Sequence, residues 1–293
     1  MLPEFVKREL REIEKRLLPE TTQTQLFQQL RHLGLGDFGL ILLSMPNPDY
    51  PQISRLLPRM ASEEIQRNWT GSCGIELLTQ TTEFVRAVAD NYCRLTGESL
   101  EGKEILDFGC GYGRIARLMY FFTNPENIYG VDPWDESISI CRADGFAEDH
   151  FLVSEYLPTG LPTGEKCFDL IYAFSVFTHL SEKSTTLSLR TLLGHVKPGG
   201  ILVITIRPVE YWNHDQHAAS QNKVNEQIEL HRSNGFSFLP HNRPPIDGDI
   251  TYGDTSMDLS WLENAVPEAE ILGMDRSLRD SFQRYIFLRR RGS

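Results

Sequence analysis

Hydrophobic residues recur at helical spacing through the first 98 residues of the chain. We expect Pro19 to end the first helix, Gly34 to cap the second and Gly97 to close the third, with four prolines between positions 46 and 58 producing an irregular connector. Residues 1–98 are therefore predicted to form an N-terminal helical extension. The three predicted apolar faces are Val6, Leu10, Ile13 and Leu17; Leu26, Leu30 and Leu33; and Leu77, Thr81, Phe84, Val85, Val88 and Tyr92.

Between about residue 102 and residue 207 the pattern changes to short apolar runs separated by helical segments. Helices are expected to begin near Gly113, Asp135 and Ser181, and residues 197–200 are expected to form a turn before the last strand. Strands and helices that alternate at this pitch predict an α/β fold with a doubly wound, mostly parallel sheet. The five predicted strands are 104–108, 128–132, 151–154, 170–174 and 201–206.

The pattern weakens again between Tyr211 and Ile250, where the chain is polar and rich in His and Asn. A long stretch without clear periodicity inside a compact protein is usually functional, so we expect a lid or insertion over about 208–255. A short helix at 257–262 and two closing strands at 270–274 and 284–288 are predicted to follow.

Composition narrows the class of protein. The 293 residues include 29 Lys and Arg against 40 Asp and Glu, and the net charge of −11 disfavours nucleic acid and anionic membranes as partners. No apolar run approaches the length of about 18 residues needed to cross a bilayer, and the first ten residues contain no apolar core of a signal peptide. Five cysteines without a C-x-x-C pair are typical of a reduced compartment. We expect a cytoplasmic protein without membrane insertion; its oligomeric state is unknown at this stage.

The strongest motif lies at residues 105–114, where a predicted strand runs into a glycine-dense turn and then a helix. Glycines allow positive φ and close approach of a ligand to the backbone, and the start of a helix offers unpaired N–H groups. The next predicted strand ends at Asp132, whose carboxylate can accept both hydroxyls of a ribose. An alternative role for Asp132 is to cap the helix that follows.

Glycine spacing separates two nucleotide-binding families. The dinucleotide fingerprint G-x-G-x-x-G would need glycine at position 114, which is Arg114 here. The pattern D-x-G-x-G-x-G, which begins at Asp107, instead resembles the cofactor loop of class I S-adenosylmethionine-dependent methyltransferases. Residues 168–180, 193–206 and 271–288 are similar to that family's fourth strand, fifth strand with its preceding helix and turn, and terminal antiparallel hairpin.

The resemblance covers about residues 100–207 and the last 25 or so. It implies a Rossmann-like methyltransferase domain over 99–293 with an antiparallel terminal hairpin, and it implies S-adenosyl-L-methionine as the cofactor. It also assigns a role to Asp107 at the methionine end, to Asp132 at the ribose and to the backbone carbonyl of Phe174 at the cofactor's ammonium group. Core packing is the alternative for Trp69, and a small buried side chain is the alternative for Cys110. The full set of predicted cofactor residues is Asp107, Gly109, Cys110, Gly111, Gly113, Asp132, Pro133, Phe174 and Trp69.

His179 is the first candidate catalytic base, because it follows the fourth strand and its ordinary pKa of about 6.5 suits proton transfer. A place beside the cap of the helix at Ser181 is the alternative. No metal is expected: metal-dependent catechol-type relatives place an aspartate after the fourth strand, and short polar clusters in loops are usually solvated. Further candidate bases lie in the polar stretch, with His214 foremost: Glu210, Tyr211, His214, Asp215 and His217.

The resemblance leaves the methyl acceptor open. We expect a small molecule with a polar hydroxyl, or with less support an amine, such as a sugar or a bacterial metabolite. Two alternatives are an NAD-dependent oxidoreductase or epimerase, for which the dinucleotide loop and a Tyr-x-x-x-Lys pair are missing, and a cofactor-binding scaffold without catalysis.

Overall fold

The fold is seen in a computed structural model, which describes residues 2–215, 217–218 and 220–292. Its α-helices are α1 Glu4–Arg16, α2 Gln23–Leu30, α3 Leu35–Leu43, α4 Pro51–Leu56, α5 Glu63–Thr70, α6 Gly74–Thr96, α7 Arg114–Met119, α8 Asp135–Ala143, α9 Glu182–Gly194, α10 Gln221–Asn234 and α11 Leu259–Ala265. Its strands are β1 Ile105–Phe108, β2 Ile128–Asp132, β3 Phe151–Val153, β4 Phe168–Ala173, β5 Val196–Ile206, β6 Phe236–Pro240, β7 Gly253–Met257, β8 Ala269–Arg276 and β9 Arg284–Arg290.

Seven of these strands form one sheet in the order β3-β2-β1-β4-β5-β9-β8. The pairs β1–β4 and β4–β5 are parallel, whereas β9 runs antiparallel to both β5 and β8. The predicted doubly wound, mostly parallel sheet with an antiparallel terminal hairpin is therefore confirmed. Strands β6 and β7 form a separate antiparallel pair.

The chain divides into two compact units. The first contains Met1–Glu104 and Cys110–Leu152, and the second contains Ile105–Gly109 and Val153–Ser293. The glycine-rich loop therefore contributes residues to both units. The separate extension predicted over 1–98 stays a prediction, because the first unit also includes α7, β2, α8 and the first two residues of β3.

The helices of the first unit follow the predicted faces, with one correction. Val6, Leu10 and Ile13 are buried on α1, and Gly97 takes the left-handed conformation that ends α6. Gly34 was expected to cap the second helix; instead α2 ends earlier and Gly34 precedes α3 as its N-cap. The helix α3 is apolar almost all round, which hides its period from a search for one apolar face. A short helix of six residues, α4, also lies within the proline-rich connector.

The second unit corrects three further predictions. The stretch expected to lack regular structure contains α10, capped by Ser220 and ended by left-handed Gly235, and the β6–β7 pair. The predicted helix at 257–262 is the end of β7 followed by α11, with Asp258 as the N-cap between them. The predicted turn at 197–200 lies inside β5, where the pairing with β4 is irregular.

Within the described residues, no helix is long and apolar enough to cross a membrane. The five cysteines are all free thiols, as expected from their spacing.

Candidate active site

The carboxylate of Asp132 organises the glycine loop in the first unit. Its Oδ2 accepts a hydrogen bond from the Gly111 N–H at 2.9 Å, and its Oδ1 accepts one from the Trp134 N–H at 2.9 Å. Burial raises the pKa of this carboxyl, although these bonds and one with Ser137 oppose the shift. A carboxylate has about four acceptor positions, so with these three bonds about one remains for a ligand. The capping alternative fails, because Trp134 is the N-cap of α8 and no side chain caps that helix.

The loop also has the backbone that a bound nucleoside needs. Gly111 and Gly113 have φ of 54° and 74°. A Cβ on Gly113 would lie 2.5 Å from the Phe146 ring, whereas a Cβ on Gly111 would meet nothing nearer than the Trp69 ring at 4.0 Å. A Cβ on Gly111 would therefore be in ordinary van der Waals contact with the Trp69 ring, which lies beside this part of the loop. Cys110 is buried and its N–H donates to the Val131 carbonyl, so its backbone connects the loop to β2.

Aromatic side chains line the loop in the first unit. The Trp69 ring stacks on that of Trp134 with centroids 4.5 Å apart, and it contacts Tyr112 at 5.6 Å. Trp69 lies in the last turn of α5, which ends at Thr70. Trp134 is 45% exposed, and Pro133 before it is half-buried. This face offers stacking surface of the kind that holds a purine ring.

In the second unit, the predicted cofactor residues lie at the ends of β1 and β4. Asp107 and Phe174 are buried. Gly109 has a φ of 75°, and a Cβ there would lie 2.4 Å from Val176 Cγ2, so only glycine fits. Ser175 directly follows Phe174 with a φ of 58°, an unusual conformation for serine. Strained backbone of this kind is characteristic of functional sites.

Hydrogen bonds hold the strained turn after β4. The Ser175 N–H donates to Thr205 Oγ1 at 2.7 Å, and the Gln283 side-chain amide donates to Ser175 Oγ at 3.1 Å. The turn then closes with the His179 N–H donating to the Val176 carbonyl. The end of β4 is thereby fixed to β5 and to the segment before β9.

His179 has both ring nitrogens occupied. Its Nδ1 lies 2.8 Å from the Gly253 carbonyl and must donate to it, so Nε2 is the acceptor for Arg207 Nη2 at 3.2 Å. Burial, followed by the charge of Arg207, lowers the pKa of His179 to about 4. The ring also stacks on Tyr252 with centroids 5.0 Å apart. The imidazole is therefore neutral and fixed in one tautomer at neutral pH.

Asp254 on β7 is the centre of a cluster of side chains in the second unit. Its Oδ1 accepts from Arg207 Nη1 at 2.6 Å and from the Tyr211 hydroxyl at 2.9 Å, and its side chain is 1% exposed. Burial alone would raise the pKa of Asp254, but the hydrogen bond from His241 and the charges of His179 and Arg207 lower it to about 2. We call this set the Asp254 cluster, and its members are His179, Arg207, Tyr211, His217, His241 and Asp254.

The structure brings together some of the predicted bases and leaves others outside. Tyr211 and His217 join the Asp254 cluster, whereas Glu210 is exposed. His214 is also outside; its exposed ring contacts Phe282 at 4.9 Å. The side chain of Asp215, expected to be solvated, is fully buried.

Sequence reasoning missed Arg207, His241 and Asp254. Arg207 follows β5 directly, so its place after a central strand was a usable signal. No motif connects His241 with Asp254, because the pairing of β6 with β7 brings them together.

Comparison with known proteins gives one match to a domain family. Residues 106–204 match the family described as methyltransferase domain. The matched range begins within β1 and ends within β5, and it includes the glycine loop and Asp132.

Two curated relatives are sterol 24-C-methyltransferases. That of Aspergillus fumigatus is 25% identical over 162 residues, which are 52% of this chain and 41% of that protein. That of Gibberella zeae is 24% identical over 243 residues, which are 72% of this chain and 62% of that protein. The chain thus spans less than two thirds of the length of either relative.

Among solved structures, the magnesium protoporphyrin IX methyltransferase of Synechocystis PCC 6803 with bound SAH is 14% identical. The likeness covers 78% of this chain and 94% of that chain with a TM-score of 0.49. The family match, the strand order and the glycine loop with Asp132 agree with one another. Residues 106–204 of this chain therefore match a methyltransferase domain, within a sheet of the predicted strand order.

Proposed function

We propose that this protein transfers a methyl group from S-adenosyl-L-methionine to an oxygen of a polar small molecule. The observation that carries the acceptor class is the Asp254 cluster, in which an arginine, a carboxylate and a tyrosine hydroxyl lie together after a central strand. Buried charged groups of this kind stay favourable only with polar partners, so they suit a hydroxylated acceptor better than an apolar one.

The residues predicted to hold the cofactor fit it. In the first unit, Asp132 has an acceptor position for the ribose, and Trp69 with Trp134 supplies a stacking surface. In the second unit, Asp107 and the carbonyl of Phe174 are the groups we assign to the amino-acid end. When bound, the cofactor supplies a methyl group on a positively charged sulfur. The protein's task is then to align an acceptor atom with that group and to exclude water.

The two predicted catalytic histidines receive different proposed roles. The Nε2 lone pair of His179 already accepts from Arg207, so we propose that His179 positions the guanidinium rather than removing the acceptor's proton. His214, the other of the two histidines, has an exposed ring and is the proton acceptor that we propose. Asp254 holds the side chains of Arg207 and Tyr211 in place, and these two side chains would orient the acceptor.

Kinetics of His179→Ala separate these roles. If His179 is a positioning residue, its replacement should raise the KM for the acceptor more than it lowers kcat. The affinity for S-adenosylhomocysteine should be unchanged. Loss of a general base would instead lower kcat by about 100-fold or more with KM nearly constant. That second result would return the base role to His179.

The named relatives favour a second candidate function, methyl transfer to a carbon atom of a sterol. A screen with isotopically labelled methyl donor tests both candidates on polar hydroxyl compounds, amines and sterols. We expect labelled product with a polar hydroxyl acceptor. Turnover of a sterol alone would replace the proposed acceptor class, and a folded protein without affinity for S-adenosylhomocysteine would contradict the proposal altogether.

A further inference from the structure

The second unit contains more buried negative charge than its nearby arginine neutralises. Asp254 is paired with Arg207, but the side chain of Asp215 is also fully buried. The Tyr211 hydroxyl connects them, at 2.9 Å from Asp254 Oδ1 and 3.3 Å from Asp215 Oδ1. Two buried carboxylates beside one guanidinium leave one negative charge, which a further cation would compensate.

Two imidazoles face the oxygen of Asp254 that Arg207 does not contact. Oδ2 lies 2.7 Å from His241 Nε2 and 2.9 Å from His217 Nδ1. The centroids of the two imidazole rings are 4.3 Å apart, and the ring planes make an angle of 50°. These three potential ligand atoms, two nitrogens and one oxygen, all lie within 4.8 Å of one another. Neighbouring ligands around a divalent ion, each about 2.0–2.2 Å from it, have separations of about 3 Å.

The orientation of the Asp254 carboxylate is fixed in a way that suits Oδ2 as a metal ligand. Hydrogen bonds from Arg207 and Tyr211 to Oδ1 fix the plane of the carboxylate and leave Oδ2 directed at the imidazoles. In metal sites, the coordinating side chains regularly accept or donate hydrogen bonds to further polar groups, which orient the ligand and tune its basicity.

Asp215 provides an independent sign of a missing partner. Its Oδ1 accepts from the His217 N–H at 3.0 Å and lies 3.5 Å from His217 Nδ1. Its Oδ2 is buried and has no hydrogen-bond partner among residues 2–215, 217–218 and 220–292. A buried carboxylate oxygen without a donor is costly, and a cation beside His217 would remove that cost.

We propose that His217, His241 and Asp254 bind a divalent first-row transition-metal ion, with Asp215 beside the site as an additional carboxylate. The two imidazoles favour ions such as Zn²⁺ or Fe²⁺ over Mg²⁺ and Ca²⁺, which prefer oxygen ligands. The site reverses the expectation of a metal-free protein, and it does not depend on the proposed methyl transfer. The proposed metal site would connect the segment after β5 with the β6–β7 pair through the side chains of its ligands.

Calorimetric titration of the chelator-treated full chain with Zn²⁺ tests the site directly. We expect one ion per chain, with no comparable heat from Mg²⁺. Co²⁺ gives a second readout, because its visible absorption reports the coordinating atoms. Absence of saturable Zn²⁺ binding by the folded protein would overturn the proposal.

Two variants and a matched control locate the ion. The side chain of His217 is 60% exposed, so the variant His217→Ala should fold normally. Each of the single variants His217→Ala and His241→Ala should weaken Zn²⁺ binding by more than about 10-fold. His214→Ala removes a histidine from the same polar stretch but outside the site, and it should leave binding unchanged. Equal affinity of all three variants and the original protein would mean that Zn²⁺ binds elsewhere and would refute this assignment.

Discussion

The glycine loop in the first unit and the Asp254 cluster in the second are built by different means. In the loop, glycines lie at alternate positions and the N–H of Gly111 donates to a carboxylate 21 residues away. The cluster uses side chains from four separate segments, and its central pair, Arg207 and Asp254, is 47 residues apart. Backbone recognition leaves a readable motif because it requires glycine at defined positions, whereas side-chain recognition can be assembled from any segments that the fold brings together.

The largest expected effect tests whether the Asp254 cluster depends on its buried charge. Asp254→Ala leaves Arg207 without its partner, and breaking a buried ion pair by removing one member costs about 3–5 kcal/mol in the free energy of unfolding. Chemical denaturation measures the change. Glu226→Ala is the control, because it breaks the exposed pair with Lys223 and should cost less than about 1 kcal/mol. Similar small losses in both variants would show that the cluster does not behave as a buried ion-pair network.

A smaller effect tests the backbone requirement of the loop. Gly113→Ala combines a φ of 74° with a Cβ that would lie 2.5 Å from the packed Phe146 ring, so we expect a loss of about 2–4 kcal/mol in the free energy of unfolding. Gly164→Ala separates the two causes, since its φ of 66° is similar but no atom lies within 4 Å of the added Cβ. That control should lose about 1 kcal/mol. Equal losses would assign the requirement at Gly113 to φ alone.

The third test measures the affinity for S-adenosylhomocysteine rather than the free energy of unfolding. Asp132→Ala removes the acceptor proposed for the ribose and the group that orders the Gly111 N–H. Hydrogen bonds to a charged group contribute about 1.5–3 kcal/mol, so calorimetry with S-adenosylhomocysteine should show affinity about 10–100-fold weaker. Asp135→Ala, an exposed acid three residues along, should bind normally. Unchanged affinity in Asp132→Ala would remove this residue from the cofactor site.

The smallest expected effect is a pH dependence of the same affinity. Burial raises the pKa of Asp132 above 3.8, and the proposed ribose contact uses the ionised form. Affinity for S-adenosylhomocysteine should therefore decrease on acidification, beginning at a higher pH than an ordinary aspartate would allow. Calorimetric titrations at a series of pH values measure this. A flat profile down to the pH at which the protein unfolds would contradict the role of the carboxylate.

Local signals were sufficient where neighbouring residues define the structure. The strand β2 has its predicted bounds, and Gly97 ends α6 as expected, because a short apolar run and a left-handed glycine are local properties. The helix α10 was missed because its polar faces give weak periodicity. The strand β7 was missed because the buried residues of its sequence GDTSM are mostly polar or small.

The amino-acid sequence by itself determined the α/β class, the glycine loop and the carboxylate at Asp132, since each depends on residue types at short and regular spacing. Only the tertiary structure decided that His217, His241 and Asp254 meet, that His179 is occupied by Arg207, and that Asp215 is buried. The physical reason is that distant segments become neighbours through strand pairing and packing of the whole chain, and no local pattern records which of them will meet.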